Sequence, residues 1–347
     1  MDKNNGAIYD ARKLGKPKMI ILGVQHMFAM FGATILVPIL TGLDISTTLL
    51  MAGLGTLLFH CITKFKVPAF LGSSFAFLGG YAAIKAFSPN DPNSMLPYAC
   101  LGVACAGLIY FILAAVIKAV GIEKVMRFFP PVVTGPIIIA IGLGLAPAAV
   151  SNCTTNWFLA IVALAVIVVF NIWGKGMAKI IPIILGLLIS YGTGLVLYFI
   201  SQANPDLIQN VPWLFSGGAD ANGVYQPIFD FTSLSTICDN ISKGHIFGSE
   251  GLIGIPIHWD KTVFGGIDYS HGALIASSII AIVPIAFATM MEHIGDICAI
   301  SSTTGNNYIK DPGLHRTLVG DGLATTLASL FGGPANTTYG ENTGVLA

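Results

Sequence analysis

Six ionisable residues interrupt stretches of this sequence that are otherwise strongly apolar. They are His26, Glu292, His293, Asp296, Asp321 and Glu341. A carboxylate in surroundings of low dielectric constant is unstable unless it is paired, faces a polar cavity or takes up a proton. Such residues can therefore accept hydrogen bonds from a polar ligand and can carry protons. A purely structural role in joining two helices is the alternative, and for His26 it is as well supported as a functional role.

Two segments beside these residues have an unusual composition. They are Pro68–Phe75 and Pro334–Asn342, and each begins with Pro, contains Gly and small hydroxylated residues, and carries an aromatic residue. This composition disfavours a regular helix that faces lipid. It favours extended backbone that leads into a half-helix, with free N–H groups lining a polar cavity.

The spacing between these elements occurs twice. His26 precedes Phe75 by 49 residues, and His293 precedes Asn342 by 49 residues. Seven apolar spans separate the paired elements, and an odd number of spans reverses the direction of the chain across a membrane. The pattern indicates an inverted repeat with a binding site between two discontinuous helices.

The composition defines the class of protein that must position these residues. Of 347 residues, 10% are charged and 54% are hydrophobic, with a formal net charge of zero and a mean hydropathy of +0.78. Soluble domains contain roughly 25% charged residues, so a soluble enzyme, a nucleic-acid-binding protein and a disordered chain are excluded. The sequence predicts an all-α polytopic membrane protein. No Cys-x-x-Cys pair, nucleophile–base pair or metal-ligand spacing occurs in the spans, so neither an enzyme nor a cofactor is expected.

Apolar runs long enough to cross a bilayer, about 17–25 residues, divide the chain into spans. Seven such runs are Met19–Leu40, Ser46–Thr63, Tyr98–Ile117, Val132–Val150, Trp157–Trp173, Ile180–Ile200 and Ala273–Met291. The segments Ala69–Ala83 and Thr317–Phe331 are shorter and rich in Gly, Ser and Thr, and a tenth span begins at Gly333.

The distribution of basic residues supports this assignment. With a cytoplasmic N-terminus, 14 of the 17 Lys and Arg residues lie on the inner side and 3 on the outer side. Because one missed span would invert every later loop, the short segment Ala69–Ala83 must also cross the membrane. The long loop Ser201–Tyr269 then lies outside, and we interpret it as a solvated, partly ordered insertion rather than a ligand-binding lid.

At these residues the sequence resembles the nucleobase/ascorbate transporter family, and within it the bacterial uracil permeases. The similar stretches cover nearly the whole chain apart from the long loop. They are Gln25–Leu40, Val67–Phe77, Phe128–Gly142, Met291–Asp296, Asp311–Arg316 and Asn336–Val345.

The resemblance implies fourteen spans in two inverted sets of seven, of which this chain would contain about the first ten. We therefore expect a C-terminally truncated member of the family. The implied domains are listed in chain order: a cytoplasmic tail (1–18), a core domain with spans 1–4 (19–127), a gate domain with spans 5–7 (128–200), an outer loop (201–270) and the continued core domain (271–347).

The resemblance also implies a substrate site. In it, Glu292 and Glu341 are the substrate carboxylates, Phe75 and Gly340 offer backbone N–H groups, and Tyr339 packs near the substrate ring. Uracil has two N–H donors and two carbonyl acceptors, so carboxylates, backbone donors and an aromatic face suit it. Family knowledge also associates Glu at position 341 with pyrimidine rather than purine substrates.

A proton-coupling group is implied as well, formed by His26, Glu292 and Asp296. On a helix, Glu292 and Asp296 would share a face, because residues four apart are neighbours. Two buried carboxylates repel each other, so one of them should hold its proton more tightly than in water.

These expectations together describe a proton-coupled uracil symporter of the cell (cytoplasmic) membrane that works by alternating access. The proton is the coupling ion, no cofactor is needed, and the expected partners are uracil, the lipid bilayer and a second copy in a homodimer, with no nucleic acid. Three alternatives remain open: a permease for xanthine or another purine, an anion exchanger or channel of a related fold, and a non-transporting fragment. The acidic residues at the site argue against an anion as substrate.

Overall fold

The computed structural model describes residues 15–125, 127, 131–175, 178, 182–220, 222–232, 235, 256–340 and 342–346. The chain divides into two units, which are described separately. The first unit contains residues 1–142 and 256–347, and the second contains residues 143–255. The predicted core segments 19–127 and 271–347 fall within the first unit, and their assignment to a core domain stays a prediction.

The described chain is mostly helical. In order, the helices up to residue 215 are α1 (Lys16–Thr41), α2 (Ile45–Ile62), α3 (Leu78–Lys85), α4 (Leu96–Val120), α5 (Ile122–Val125), α6 (Pro131–Cys153), α7 (Trp157–Trp173), α8 (Pro182–Ala203), α9 (Asp206–Asn210) and α10 (Pro212–Phe215). The remaining helices are α11 (Val263–Gly266), α12 (Gly272–Ile282), α13 (Ile285–Thr304), α14 (Leu314–Leu330) and α15 (Thr343–Leu346). The described chain also contains four short strands, β1 (Leu71–Ser73), β2 (Ser216–Ala219), β3 (Tyr225–Pro227) and β4 (Asn336–Thr338). Three 3-10 helices cover Phe75–Phe77, Pro92–Met95 and Trp259–Lys261.

Local sequence signals explain several helix ends. Asp44 caps α2 by accepting a hydrogen bond from the backbone N–H of Thr47 at 2.7 Å. Asn156 caps α7 in the same way through Leu159 N–H at 2.9 Å. Side chains of this type satisfy backbone donors that have no partner within the helix. Gly42 ends α1 in the left-handed conformation that glycine adopts readily.

Four stretches of the described chain are long and apolar enough to cross a membrane. They are Ile45–Ile62, Pro92–Val120, Ile184–Ala203 and Gly272–Thr304. Phe75–Lys85 and Trp157–Trp173 are shorter apolar helices. The described chain is thus mostly helical and has four candidate spans, as a polytopic membrane protein requires, while the fourteen-span inverted repeat stays a prediction.

The helix around the acidic residues is longer than the sequence predicts. The apolar run ends at Met291, but α13 continues to Thr304 and ends at Gly305 in the left-handed conformation. Glu292 and Asp296 therefore lie in the middle of a helix and not at its end. The predicted boundary was wrong because hydropathy measures side chains, whereas the helix is continued by backbone hydrogen bonds and by partners from other elements.

The two segments of unusual composition are extended and pair with each other. Strands β1 and β4 are antiparallel, with Leu71 opposite Thr338 and Ser73 opposite Asn336. The pairing continues past the strand ends, because Tyr339 N–H donates to Phe70 C=O at 3.1 Å. The prediction of extended backbone in both segments is confirmed, and each strand leads into a short helical stretch.

We call the paired strands β1 and β4 the β1–β4 crossing, and helices of the first unit pack around it. Helix α14 packs against α4 and α2, and a Cβ atom added at Gly107 of α4 would lie 2.7 Å from the carbonyl oxygen of Gly322 in α14. Thr326 of α14 also donates to Ala104 C=O at 3.1 Å. Small residues let membrane helices approach closely in this way. A buried apolar cluster of the first unit includes Phe59 of α2, Leu71 of β1 and side chains of α4, α12, α13 and α14.

The second unit contains α7, α8 and much of the long loop. Helices α7 and α8 pack together, and β2 pairs antiparallel with β3. Asn156 ties this hairpin to α7 because its side-chain amide donates to Ser216 C=O at 2.9 Å. The loop predicted as partly ordered thus contains regular elements, while residues 233–234 and 236–255 lie outside the described chain.

Candidate functional site

Thr338, the last residue of β4, lies at the centre of a buried polar group. Its hydroxyl donates to Oδ2 of Asp296 at 3.0 Å and lies 3.1 Å from Nδ1 of His293. Its backbone N–H donates to Oδ1 of Asp321 at 3.1 Å. One threonine thus contacts three ionisable side chains from two helices, α13 and α14. We call these four residues the Thr338 network.

His293 and Asp321 form the most deeply buried part of the network. Both side chains are 0% exposed, and Nδ1 of His293 lies 3.2 Å from Oδ2 of Asp321. Among the described residues, the Thr338 oxygen alone lies in hydrogen-bond geometry to Nδ1, so Oδ2 contacts the imidazole without a hydrogen bond. Nε2 of His293 has no hydrogen-bond partner in the part of the chain that the structure describes. Nδ1 is therefore the nitrogen of His293 that contacts Thr338 and Asp321.

Asp296 forms the more open side of the network. It is half-buried, and its Oδ1 lies so close to the backbone after β4 that a Cβ atom added at Gly340 would be 2.9 Å away. Gly340 therefore permits a close approach between main chain and carboxylate. Glu292, also half-buried, precedes Asp296 by one turn of the same helix. The predicted helical relation between these two acids is confirmed.

Tyr339 is placed by the structure within the strand crossing. Its hydroxyl donates to Ser73 C=O at 2.8 Å and lies 3.3 Å from the Thr34 hydroxyl on α1. Its ring occupies the space in which a Cβ atom of Gly72 would lie. Tyr339 thus fastens β4 to β1, and its predicted contact with the substrate ring stays a prediction.

The remaining predicted residues lie around this site or outside the described chain. Phe75 is half-buried and begins the short 3-10 helix that follows β1. His26 is half-buried on α1, and the structure shows no hydrogen bond or ion pair between its side chain and other described residues. Glu341 lies outside the described residues. The structure therefore brings Asp296 close to Gly340, while the binding and coupling roles of all these residues stay predictions.

Three members of the network, His293, Asp321 and Thr338, are absent from the predicted site. The sequence shows His293 and Asp321 as ionisable residues in apolar stretches, and Thr338 as part of a segment of unusual composition. The carboxylate was a usable signal, because a buried carboxylate must find hydrogen-bond donors or a proton. Its donor is a backbone N–H of β4, which no side-chain pattern could reveal. Within the described residues, no group of three or more His, Cys, Asp or Glu side chains is arranged to hold a metal ion.

Comparison with known proteins identifies the family. The model described as Permease family matches residues 17–347 of this chain. The chain belongs to the Permease family. It is 38% identical over 337 residues to the uracil permease of Bacillus caldolyticus, with 94% of this chain and 66% of that protein covered. It is 37% identical over 341 residues to the uracil permease of Bacillus subtilis strain 168, again with 94% and 66% covered.

Membership in this family confirms the predicted resemblance. The relatives are named as permeases, which are transport proteins and not enzymes. The chain spans about two thirds of the length of these two relatives, 66% in each case. The site geometry described above therefore belongs to a member of the Permease family.

Proposed function

We propose that this protein transports uracil across the cell membrane together with a proton, by alternating access. The observation that carries the proposal is the β1–β4 crossing, which places a half-buried carboxylate, Asp296, against the backbone of Gly340. Interrupted helices of this kind present main-chain groups to a ligand at the middle of a membrane. Relatives named uracil permease, with 38% and 37% identity, support uracil as the substrate.

The proposed site matches the chemistry of uracil. The ring has two N–H donors, for which Glu292 and Glu341 are the proposed acceptors. Its two carbonyl groups need donors, for which the backbone N–H groups of Phe75 and Gly340 are proposed. Each residue is proposed from the resemblance, and the structure supports the set by placing Gly340 and Phe75 where extended backbone passes into helical backbone.

The proposed proton path begins at the half-buried acids of α13. Glu292 and Asp296 lie one turn apart, and like charges at this distance favour protonation of one of them. His26 is proposed to join this group from α1. In the proposed cycle, protonation from outside precedes uracil binding, and the two then cross the membrane together. The N-terminus is proposed to be cytoplasmic, and homodimer formation is proposed from the resemblance alone.

Uptake of labelled uracil into proteoliposomes tests the proposal. The natural full-length protein should accumulate uracil when an inward proton gradient is imposed, and the Glu292→Gln variant should lose this stimulation. Glu123→Gln is a suitable control because Glu123 is an exposed acid on α5. If uracil uptake by the unaltered protein is the same with and without the proton gradient, this would contradict proton coupling.

Competition by unlabelled xanthine tests the substrate. If uracil is the natural substrate, excess xanthine should leave labelled uracil uptake almost unchanged. Inhibition by xanthine at lower concentrations than unlabelled uracil would instead identify a purine permease of the same family.

A further inference from the structure

Asp321 is a deeply buried acid that does not belong to the proposed substrate site. Its side chain is 0% exposed on α14, and a carboxylate so deeply buried is stabilised by hydrogen-bond donors and by a nearby positive charge. In the described part of the chain, no Lys or Arg nitrogen lies within ion-pair distance of Asp321. The imidazole of His293 does, with Nδ1 at 3.2 Å from Oδ2. His293 is therefore the group that can balance this charge.

The elements packed around His293 present only a few other titratable groups. Helix α4 presents Tyr110, whose hydroxyl donates to Thr289 of α13 at 2.7 Å, one turn before His293. Helix α2 presents the Phe59 ring, edge-on at 6.4 Å from the imidazole, and this ring carries no charge. The described groups that face the imidazole region from its own and neighbouring helices are Glu292, Asp296, Asp321 and Tyr110. None of these groups carries a positive charge.

The hydroxyl of Thr338 connects this pair to the more open acid. It donates to Asp296 Oδ2 at 3.0 Å and lies 3.1 Å from His293 Nδ1. A hydroxyl can donate one hydrogen bond while it accepts another. When Asp296 is ionised, the hydroxyl donates to Asp296 and accepts from the N–H at Nδ1. When Asp296 is protonated and Nδ1 is bare, the hydroxyl can turn and donate to Nδ1 instead.

We propose that the His293–Asp321 pair stores the transported proton and exchanges it with Asp296 through the hydroxyl of Thr338. The proposal rests on the proton-coupled transport proposed above and names where the proton is held. In the transfer, the O–H bond of the Asp296 carboxyl breaks and its proton joins Oγ1 of Thr338. The original hydroxyl proton leaves Oγ1 and forms an N–H bond at Nδ1 of His293.

The transfer leaves the net charge of the Thr338 network unchanged. Before it, Asp296 and His293 are neutral and Asp321 is negative. After it, Asp296 is negative and the imidazolium of His293 lies beside the Asp321 carboxylate. The new positive charge forms 3.2 Å from the buried Asp321 carboxylate, and the new negative charge forms on the half-buried Asp296. Asp296 regains its capacity to accept hydrogen bonds while the proton remains within the protein.

Two variants remove different parts of this path. Thr338→Val deletes the hydroxyl but keeps the side-chain volume and the backbone N–H that binds Asp321. His293→Asn retains an N–H donor near the position of Nδ1 but cannot take up a second proton. Thr338→Ser restores the hydroxyl. Thr317→Val is the matched control, because Thr317 is a buried threonine of α14 whose hydroxyl donates only to Leu314 C=O of its own helix, at 3.0 Å.

Two assays in proteoliposomes separate storage from substrate binding. Exchange of labelled for unlabelled uracil without a pH gradient requires binding and translocation but no net proton movement. Uptake driven by an inward proton gradient requires coupling. Thr338→Val and His293→Asn should retain exchange within about threefold and lose gradient stimulation at least tenfold, a change of about 1.4 kcal/mol in the coupling free energy. Thr338→Ser and Thr317→Val should behave like the unaltered protein.

The outcomes distinguish this inference from the proposed function. If the proton gradient does not stimulate uracil uptake by the unaltered protein, the proposed proton coupling is wrong, and the proposed proton store is wrong as well. If the unaltered protein is stimulated and His293→Asn is stimulated equally, only the proton store is wrong. Loss of exchange together with stimulation would assign the network to binding or stability and would reject the store. Thermal melting in detergent shows whether Thr338→Val folds, and if it does not, His293→Asn decides by the same criteria.

Discussion

Strands β1 and β4 pair in one two-stranded sheet. Chemically different side chains bind the backbones of the two strands. All three residues of each strand are buried. On the β1 side, the hydroxyl of Thr56 bonds both main-chain groups of Leu71: it accepts from the N–H at 3.1 Å and donates to the C=O at 3.2 Å. On the β4 side, the N–H of Thr338 donates to a carboxylate, Asp321, at 3.1 Å.

Thr56, which binds the β1 backbone, is a neutral anchor, and Asp321, which binds the β4 backbone, is an ionisable anchor. The hydroxyl of Thr56 is uncharged at every physiological pH, so its hydrogen bonds to β1 do not depend on the protonation state of the site. A carboxylate such as Asp321 needs a compensating proton, and His293 and Thr338 connect it to Asp296. Two similar pieces of backbone are thus bound by different chemistry, and only the β4 side is bound by a group that can gain or lose a proton.

The largest effect should follow from removing the ionisable anchor. Asp321→Ala leaves the Thr338 N–H and the His293 imidazole buried without their partner, and each buried polar group that loses its partner costs about 1–3 kcal/mol. We expect a large drop in the melting temperature of the detergent-solubilised protein. Asp311→Ala is the matched control, since Asp311 is an exposed acid paired with Lys66 and should cost no more than about 1 kcal/mol. Equal melting temperatures for the two variants would refute the distinction.

A smaller but clear effect should follow from adding one methyl group to β1. In Gly72→Ala, the new Cβ would overlap the Tyr339 ring and lie 2.8 Å from the Thr34 hydroxyl. Overpacking of this kind costs about 2–3 kcal/mol. Gly79→Ala in α3 provides the comparison, because a Cβ there meets no atom within 4 Å. We expect Gly79→Ala to stabilise the protein slightly, since alanine favours a helix over glycine.

Removal of the neutral anchor should cost less than removal of the ionisable one. Thr56→Val preserves the shape of the side chain but leaves the Leu71 N–H without its acceptor, at about 1–2 kcal/mol. Thr56→Ser should restore most of the stability. Because no titratable group is lost, the pH dependence of gradient-driven uptake should match that of the unaltered protein. A shifted pH profile in Thr56→Val would show that β1 also responds to protonation.

The smallest effect should come from the hydroxyl that ties the two strands together. Tyr339→Phe keeps the ring over Gly72 but removes the bond to Ser73 C=O, which costs about 0.5–1.5 kcal/mol. Uracil affinity, measured by isothermal titration calorimetry in detergent, should change less than twofold, since the ring remains. A much larger loss of affinity with little loss of stability would show that the hydroxyl itself contacts the substrate.

Much of the fold could be predicted from individual residues. Trp157 and Trp173 bracketed an apolar run that is helical over those same bounds. The proline, glycine and hydroxylated residues of Pro68–Phe75 and Pro334–Asn342 predicted extended backbone, and β1 and β4 confirm it. These features are local, because helix and strand preferences depend on residues adjacent in the chain and on the apolar solvent around them.

The site could be predicted only in part. The charges of Glu292, His293, Asp296 and Asp321 were visible as interruptions of apolar spans, but their partners were not. The β1–β4 register joins residues 71 and 338, and no spacing within the sequence fixes such a pairing.

The sequence by itself determined that this is a membrane protein with polar, interrupted segments, because composition sets the solvent that a chain can occupy. The tertiary structure alone decided that Asp321, on α14, binds the backbone of Thr338 while Thr56, on α2, binds that of Leu71. The physical reason is that a buried backbone group must find a partner in space. Which side chain becomes that partner depends on how the helices pack, and packing joins residues that lie far apart in the chain.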